Sequence, residues 1–125
     1  MRLLLDTHVI LWQLSGDRDL SIAATTAIRD ADALLVSAVS FAEMGVKAAV
    51  GKLEVPGDIV DQVLRAGVRY LGLSPEHGLA VGGLPMHHRD PFDRLLVAQA
   101  QIEGLTIVTG DERIGRYDVE TISAS

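Results

Sequence analysis

The sequence predicts a three-layer α/β/α domain on a mostly parallel central sheet, and three observations predict it. Short apolar runs alternate along the chain with segments of helical length and composition. Those runs are continuously apolar rather than alternating, which is how strands covered on both faces read. Leu, Ile, Val and Phe supply 40 of the 125 residues, well above the level of about 20% that marks a disordered chain. Alternating strand and helix units with buried strands form open α/β folds. One domain spanning 1–125 is expected, with no linker, repeat or low-complexity segment.

Arg2 to Asp6 is an apolar run ending in a carboxylate, and Thr7 to Gln13 reads as a helix broken by Ser15-Gly16-Asp17. Ser21 to Asp30 reads as a second helix and Ala33 to Ser37 as a second buried strand. Ser40-Phe-Ala-Glu43 has the form of a capping box opening a helix that stops at Gly51. Pro56-Gly-Asp58 starts the next helix, with Val60, Val63, Leu64 and Gly67 on one face and Asp61 with Arg65 as an i,i+4 pair on the other. Val68 to Ser74 is the third strand candidate. Pro75 to Gly82 reads as a helix and Gly83 to Arg89 as a loop. Asp90-Pro-Phe-Asp93 gives an N-cap, Pro at the first helical position and an acid at the third. Phe92, Leu95, Leu96 and Ile102 then form an apolar face until Gly104. Leu105 to Thr109 is a fourth strand, Glu112 to Arg116 a helical turn, and Val119 to Ile122 a last strand.

Composition narrows the function classes. With 17 Asp and Glu against 11 Lys and Arg, the net charge is -6, so binding nucleic acid by bulk positive charge is excluded and any such role must be local. No apolar run exceeds four residues, against about 20 for a membrane span. Asp6 and His8 interrupt the apolar start and no small-residue cleavage site follows, so Met1 to Leu14 is expected to be folded structure rather than a signal peptide. The absence of Cys removes disulfides, thiolate nucleophiles and Cys-type zinc sites, and a cytoplasmic location is expected.

In an open parallel sheet the functional crevice lies outside the carboxyl ends of the strands. Asp6, Glu43, Asp93 and Asp111 all fall in connections that follow strands. Crowded carboxylates raise one another's pKa, so at least one should bind its proton more tightly in the folded chain. A hard divalent cation relieves that crowding, and an all-oxygen donor set suits Mg²⁺ or Mn²⁺ better than zinc. Each acid also has a capping reading: Asp6 for the helix from Thr7, Glu43 in the capping box, Asp93 at a helix N-terminus, Asp111 ahead of Glu112 to Arg116.

Leu3-Leu-Leu-Asp6-Thr7-His8, Ser37-Ala-Val-Ser40-Phe-Ala-Glu43, His88-Arg-Asp-Pro-Phe-Asp93-Arg94 with its continuation to Ala100, and Thr109-Gly-Asp111-Glu-Arg113 resemble the motifs of PIN-domain ribonucleases of the VapC toxin type. The likeness covers nearly the whole chain. It implies a metal-dependent endoribonuclease, the toxin of a type II toxin-antitoxin system, with Asp6, Glu43 and Asp93 as the main acidic site and Asp111 as its fourth member. It further implies Mg²⁺ or Mn²⁺, an RNA substrate cut to a 5′-phosphate and a 3′-hydroxyl, and an antitoxin partner. Family members carry varied polar residues at the fourth position. A homodimer is also expected.

Thr7, Ser40 and Thr109 stand where they either orient carboxylates or act as plain caps. His87 and His88 read either as substrate contacts or, more simply, as a solvated loop pair. Lys47, Lys52, Arg89, Arg94, Arg113 and Arg116 read either as a local phosphate track or as solvated helix faces. Trp12 with Leu11 and Leu14, and Phe92 with Leu95, read as core. The alternatives are a PIN-like module that binds without cutting, a haloacid-dehalogenase-like phosphatase, disfavoured because His8 stands where its second Asp belongs, and a receiver-like signalling domain, whose phosphoacceptor at the end of strand three is missing.

Overall fold

The computed structural model describes residues 1–125. The strands are β1 (Arg2–Leu5), β2 (Ala33–Ser37), β3 (Arg69–Leu71), β4 (Thr106–Thr109) and β5 (Thr121–Ser123). The helices are α1 (Thr7–Ser15), α2 (Ile22–Asp30), α3 (Ala38–Ala49), α4 (Ile59–Arg65), α5 (Pro75–Ala80) and α6 (Pro91–Glu103), with single 3₁₀ turns at Val81–Gly83 and Ile114–Arg116. The strands form one sheet in the order β3-β2-β1-β4-β5, and every neighbouring pair is parallel.

Strand pleating explains how a four-residue β1 serves two cores. Leu3 and Leu5 face one layer with Val9 and Ile10 of α1, Ala24 of α2, and Ile59 and Val63 of α4. Leu4 faces the other layer with Leu96, Val97 and Ala100 of α6, Ile107 and Ile114. All three leucines are fully buried, which is why β1 reads as an unbroken apolar run. Gly16 and Gly104 stop α1 and α6 in the left-handed conformation, with φ of 71° and 67°.

The order places β1 at the centre. The chain builds outward through β2 and β3 on one side, then returns to lay β4 and β5 on the other. Connections leaving β1 and β4 therefore diverge, opening a crevice at their carboxyl ends.

Several local expectations are corrected. The Ser40–Glu43 capping box does not form: α3 begins at Ala38, capped by the Ser37 hydroxyl, which accepts the Val39 amide at 3.0 Å. Ser40 and Glu43 are interior residues of that helix, both buried. On α4, Ile59 and Val63 face the core while Val60 and Leu64 are about half exposed. Arg65 reaches Asp58 Oδ2 at 3.4 Å and the Asp61 carbonyl at 3.3 Å, not the Asp61 side chain. Ile102 is exposed. The third strand is limited to Arg69–Leu71 and the last shifts to Thr121–Ser123.

Candidate active site

The crevice beyond β1 and β4 is a cavity of about 540 Å³ lined by Asp6, Glu43, Asp93 and Asp111, with Asp90 and Glu112 at its edge. All four acids singled out in the sequence thus border one space. Its cations are Lys47, Arg113 and Arg116, and its single apolar wall is Trp12.

Each acid arrives on a different element. Asp6 follows β1 at the N-cap position of α1, yet its side chain caps nothing; Oδ2 instead accepts the Thr109 hydroxyl at 2.6 Å. Glu43, 2% exposed, projects from α3. Its Oε2 pairs with Lys47 Nζ one turn on, and its Oε1 is buried with no hydrogen-bond partner. Asp93 is the third residue of α6. Asp90 does the capping there by accepting the Phe92 amide at 2.9 Å, which leaves Asp93 for the cavity. Asp111, just past β4, is gripped by Arg113: Oδ1 accepts from its amide and Nε at 2.9 and 3.0 Å, and Oδ2 from Nη2 at 2.9 Å.

The electrostatics follow from this placement. Burial, reinforced by the charges of Asp6, Asp90, Glu43 and Asp111, pushes Asp93 up to about 8. Burial also raises Asp6, against the opposing Thr109 hydrogen bond. Asp111 goes the other way, held at about 2 chiefly by its hydrogen bonds from Arg113. The crowding expected of the four acids therefore acts on Asp93 and Asp6, while Asp111 is neutralised locally.

His88 was misread as a solvated loop residue. It is 6% exposed, and its Nε2 lies 2.8 Å from Asp93 Oδ2 and 3.0 Å from Asp111 Oδ2. Atoms of these three residues lie within 4.8 Å of one another, a tighter group than the four acids form. His87 is exposed and meets the Tyr117 ring edge-on. Arg94 is not part of a phosphate track. It is buried, and its guanidinium donates to the Val81, Leu84 and Pro85 carbonyls and to the Tyr117 hydroxyl. Lys52 and Arg89 do not line the cavity, whereas Lys47, Arg113 and Arg116 do. Trp12 is partly buried against the core and also walls the cavity, with the Arg18 guanidinium 4.3 Å above its ring. The Thr7 and Ser40 hydroxyls bond each other at 2.8 Å and tie α1 to α3.

The donor set fits a hard divalent cation. Every acid offers oxygen, and Glu43 Oε1 is a buried acceptor without a donor.

A parallel five-stranded sheet with an acidic pocket at its switch point defines an open α/β domain with a strand-end carboxylate site. The PIN domain family matches residues 3–120, and the chain belongs to that family. It is 35% identical over 114 residues to Ribonuclease VapC22 of Mycobacterium tuberculosis, covering 89% of this chain and 88% of the relative. Among solved structures, VapBC2 from Rickettsia felis bound to a promoter DNA fragment matches with a TM-score of 0.72 at 14% identity, over 100% of both chains. DNA-bound VapBC from Salmonella typhimurium matches with a TM-score of 0.70 at 13% identity over 98% of each chain. These structures share the fold. The family assignment removes the phosphatase-like and receiver-like alternatives.

Proposed function

We propose that this chain is a Mg²⁺- or Mn²⁺-dependent endoribonuclease, the toxin of a type II toxin-antitoxin pair. The observation that carries the reading is the unpartnered Glu43 Oε1, buried in the wall of the cavity that Asp6 and Asp93 also line. Asp6, Glu43 and Asp93 would hold the cation, with Asp111 as the fourth acid. The chemistry the cation supplies when bound is activation of water near neutral pH and neutralisation of charge on the phosphate.

The chain's own residues do the rest. Thr109 fixes one oxygen of Asp6 by donating its hydroxyl proton to Oδ2. Of the cavity's cations, Lys47 and Arg113 are paired with Glu43 and Asp111, which leaves Arg116 to meet a phosphate oxygen. Supporting an antitoxin partner, the matched structures are described as VapBC complexes; a homodimer would fit the same reading. No helix is long and apolar enough to cross a membrane.

The test is cleavage of a structured RNA by purified protein with Mn²⁺, with Mg²⁺ and with EDTA, beside Asp93→Asn. Cutting that needs the cation and is lost in Asp93→Asn is expected. RNA binding without cutting under any metal would favour the binding module, and equal cutting by Asp93→Asn would remove the acidic site from the chemistry.

A further inference from the structure

We propose that His88 is a positioning residue for the metal site: its ring N–H holds Asp111 while the ring lies against Asp93, and Asp111 acts from outside the cation's coordination sphere. The inference rests on the metal-dependent reading and assigns different jobs to acids that look equivalent in sequence.

The backbone fixes the ring's tautomer. The Asp90 amide lies 3.2 Å from His88 Nδ1 and has only a hydrogen to give, so Nδ1 must be an acceptor. The single ring proton then sits on Nε2, which faces Asp93 Oδ2 at 2.8 Å and Asp111 Oδ2 at 3.0 Å. A nitrogen carrying that proton is no metal ligand. The close grouping of His88, Asp93 and Asp111 is therefore a hydrogen bond from His88 to Asp111 with Asp93 packed against the ring, rather than a cage.

Asp111 is saturated. Its Oδ1 accepts the Arg113 amide and Nε, and its Oδ2 accepts Arg113 Nη2 and His88 Nε2. A carboxylate has about four lone-pair sites, and these donors occupy all of them. Glu43 Oε1, by contrast, is buried and vacant of any donor. The two ends of the site differ in kind: one presents an open oxygen, the other a closed network of Arg113, Asp111 and His88, with Asp93 lying against the ring.

The ring is itself held from behind. Its backbone amide donates to the Tyr117 hydroxyl at 2.9 Å, and Tyr117 in turn accepts from Arg94 at 3.1 Å. His88 thus holds Asp111 by its N–H and, with Nε2 2.8 Å from Asp93 Oδ2, confines Asp93, an outer-partner role of the kind that orients ligands at metal sites.

The experiment is Mn²⁺ titration by calorimetry on the full chain, for wild type, His88→Ala, His88→Gln, Asp111→Ala and the His88→Ala/Asp111→Ala double variant. His88→Ala and Asp111→Ala should each weaken Mn²⁺ binding by about 10- to 100-fold, the range for loss of an outer partner. The double variant should be no weaker than the weaker single one, because both act through one network. His88→Gln, which restores an N–H donor, should recover part of the loss. Melting curves in EDTA verify that each variant is folded. Wild-type affinity in His88→Ala, or additive losses in the double variant, would overturn the inference while leaving the nuclease reading intact. In the metal-free wild type, ¹⁵N spectra should show the Nε2-protonated tautomer of His88, and the Nδ1-protonated form would overturn the inference. A wild type that takes up no Mn²⁺ would bring down the metal-dependent reading and this role with it.

Discussion

The Thr109 hydroxyl donates to Asp6 Oδ2 at 2.6 Å and so joins the ends of β1 and β4 across 103 residues of sequence. The same oxygen accepts the Asp111 amide at 3.0 Å. One buried side chain therefore sets both acids that leave the central strands. Thr109→Val keeps the shape and removes both bonds, leaving Asp6 less able to hold charge. A loss of about 1.5–3 kcal/mol of stability is expected, as for a buried hydrogen bond to a charged group, together with weaker Mn²⁺ binding. Thr109→Ser should recover most of both. Urea unfolding and calorimetry measure the two effects, and a Val variant as stable as wild type would show the bond to be idle.

Asp93→Asn should stabilise the metal-free protein. Burial pushes the folded pKa of Asp93 up to about 8, well above the ordinary carboxylate range, so at pH 7 folding takes up a proton that the unfolded chain gives up freely, and that difference opposes folding. The amide removes the opposition. A gain on the order of 2 kcal/mol is expected, read as a higher melting temperature in EDTA. Adding Mn²⁺ should raise wild type more than the variant, since binding to the native state alone stabilises it. A variant that melts lower in EDTA, with Mn²⁺ shifting both proteins equally, would make Asp93 a cap.

The four acids were legible because each follows a strand, and the strand-end rule does not depend on side-chain detail. The capping-box reading of Ser40 failed for a related reason. Its pattern is real, but Ser37 already caps α3 by accepting the Val39 amide, so Ser40 lies inside the helix, where no unpaired amide is left for it. His88 was missed because nothing in a His-His pair says which ring is buried. Only the fold sets Asp111 beside it, 23 residues away. One local signal was present: a His two residues before an N-cap Asp can accept that residue's amide, as His88 does from Asp90. The apolar face of α4 was misjudged because seven residues give too few turns to fix its phase.

Arg94 offers a test of the loop that carries His88. Its guanidinium is buried without a carboxylate partner and spends its donors on three carbonyls of Val81–Pro85 and on the Tyr117 hydroxyl. Arg94→Lys keeps the charge but loses the planar fork, so most of these acceptors go unpaired. A cost of about 2–4 kcal/mol is expected, from several lost bonds to a charged group. Denaturant unfolding checks it. Unchanged stability in Arg94→Lys would show that a single charge suffices there.

The pocket also makes a prediction about pH, because Asp93 and Asp111 pull in opposite directions. Asp93 has its folded pKa raised, so its contribution to metal-free stability is most favourable below about 3.8, falls as pH rises toward about 8, and stays unfavourable beyond. Burial of Asp6 acts in the same sense. Asp111 has its folded pKa lowered to about 2, so its contribution is present above about 3.8 and is lost as pH falls through that window. The two windows meet near pH 4, and each has its own variant. Asp93→Asn should flatten the decline between pH 4 and 8 and leave the acid side alone. Arg113→Ala removes the hydrogen bonds that hold Asp111 down, so it should raise the pH of acid unfolding and leave the slope above pH 4 nearly unchanged. Urea midpoints measured in EDTA from pH 3 to pH 9 separate the two. If Arg113→Ala altered only the alkaline side, the Arg113 pairing would not be what holds Asp111 ionised. Parallel curves for wild type and Asp93→Asn would mean that the crowding in this cavity does not reach Asp93.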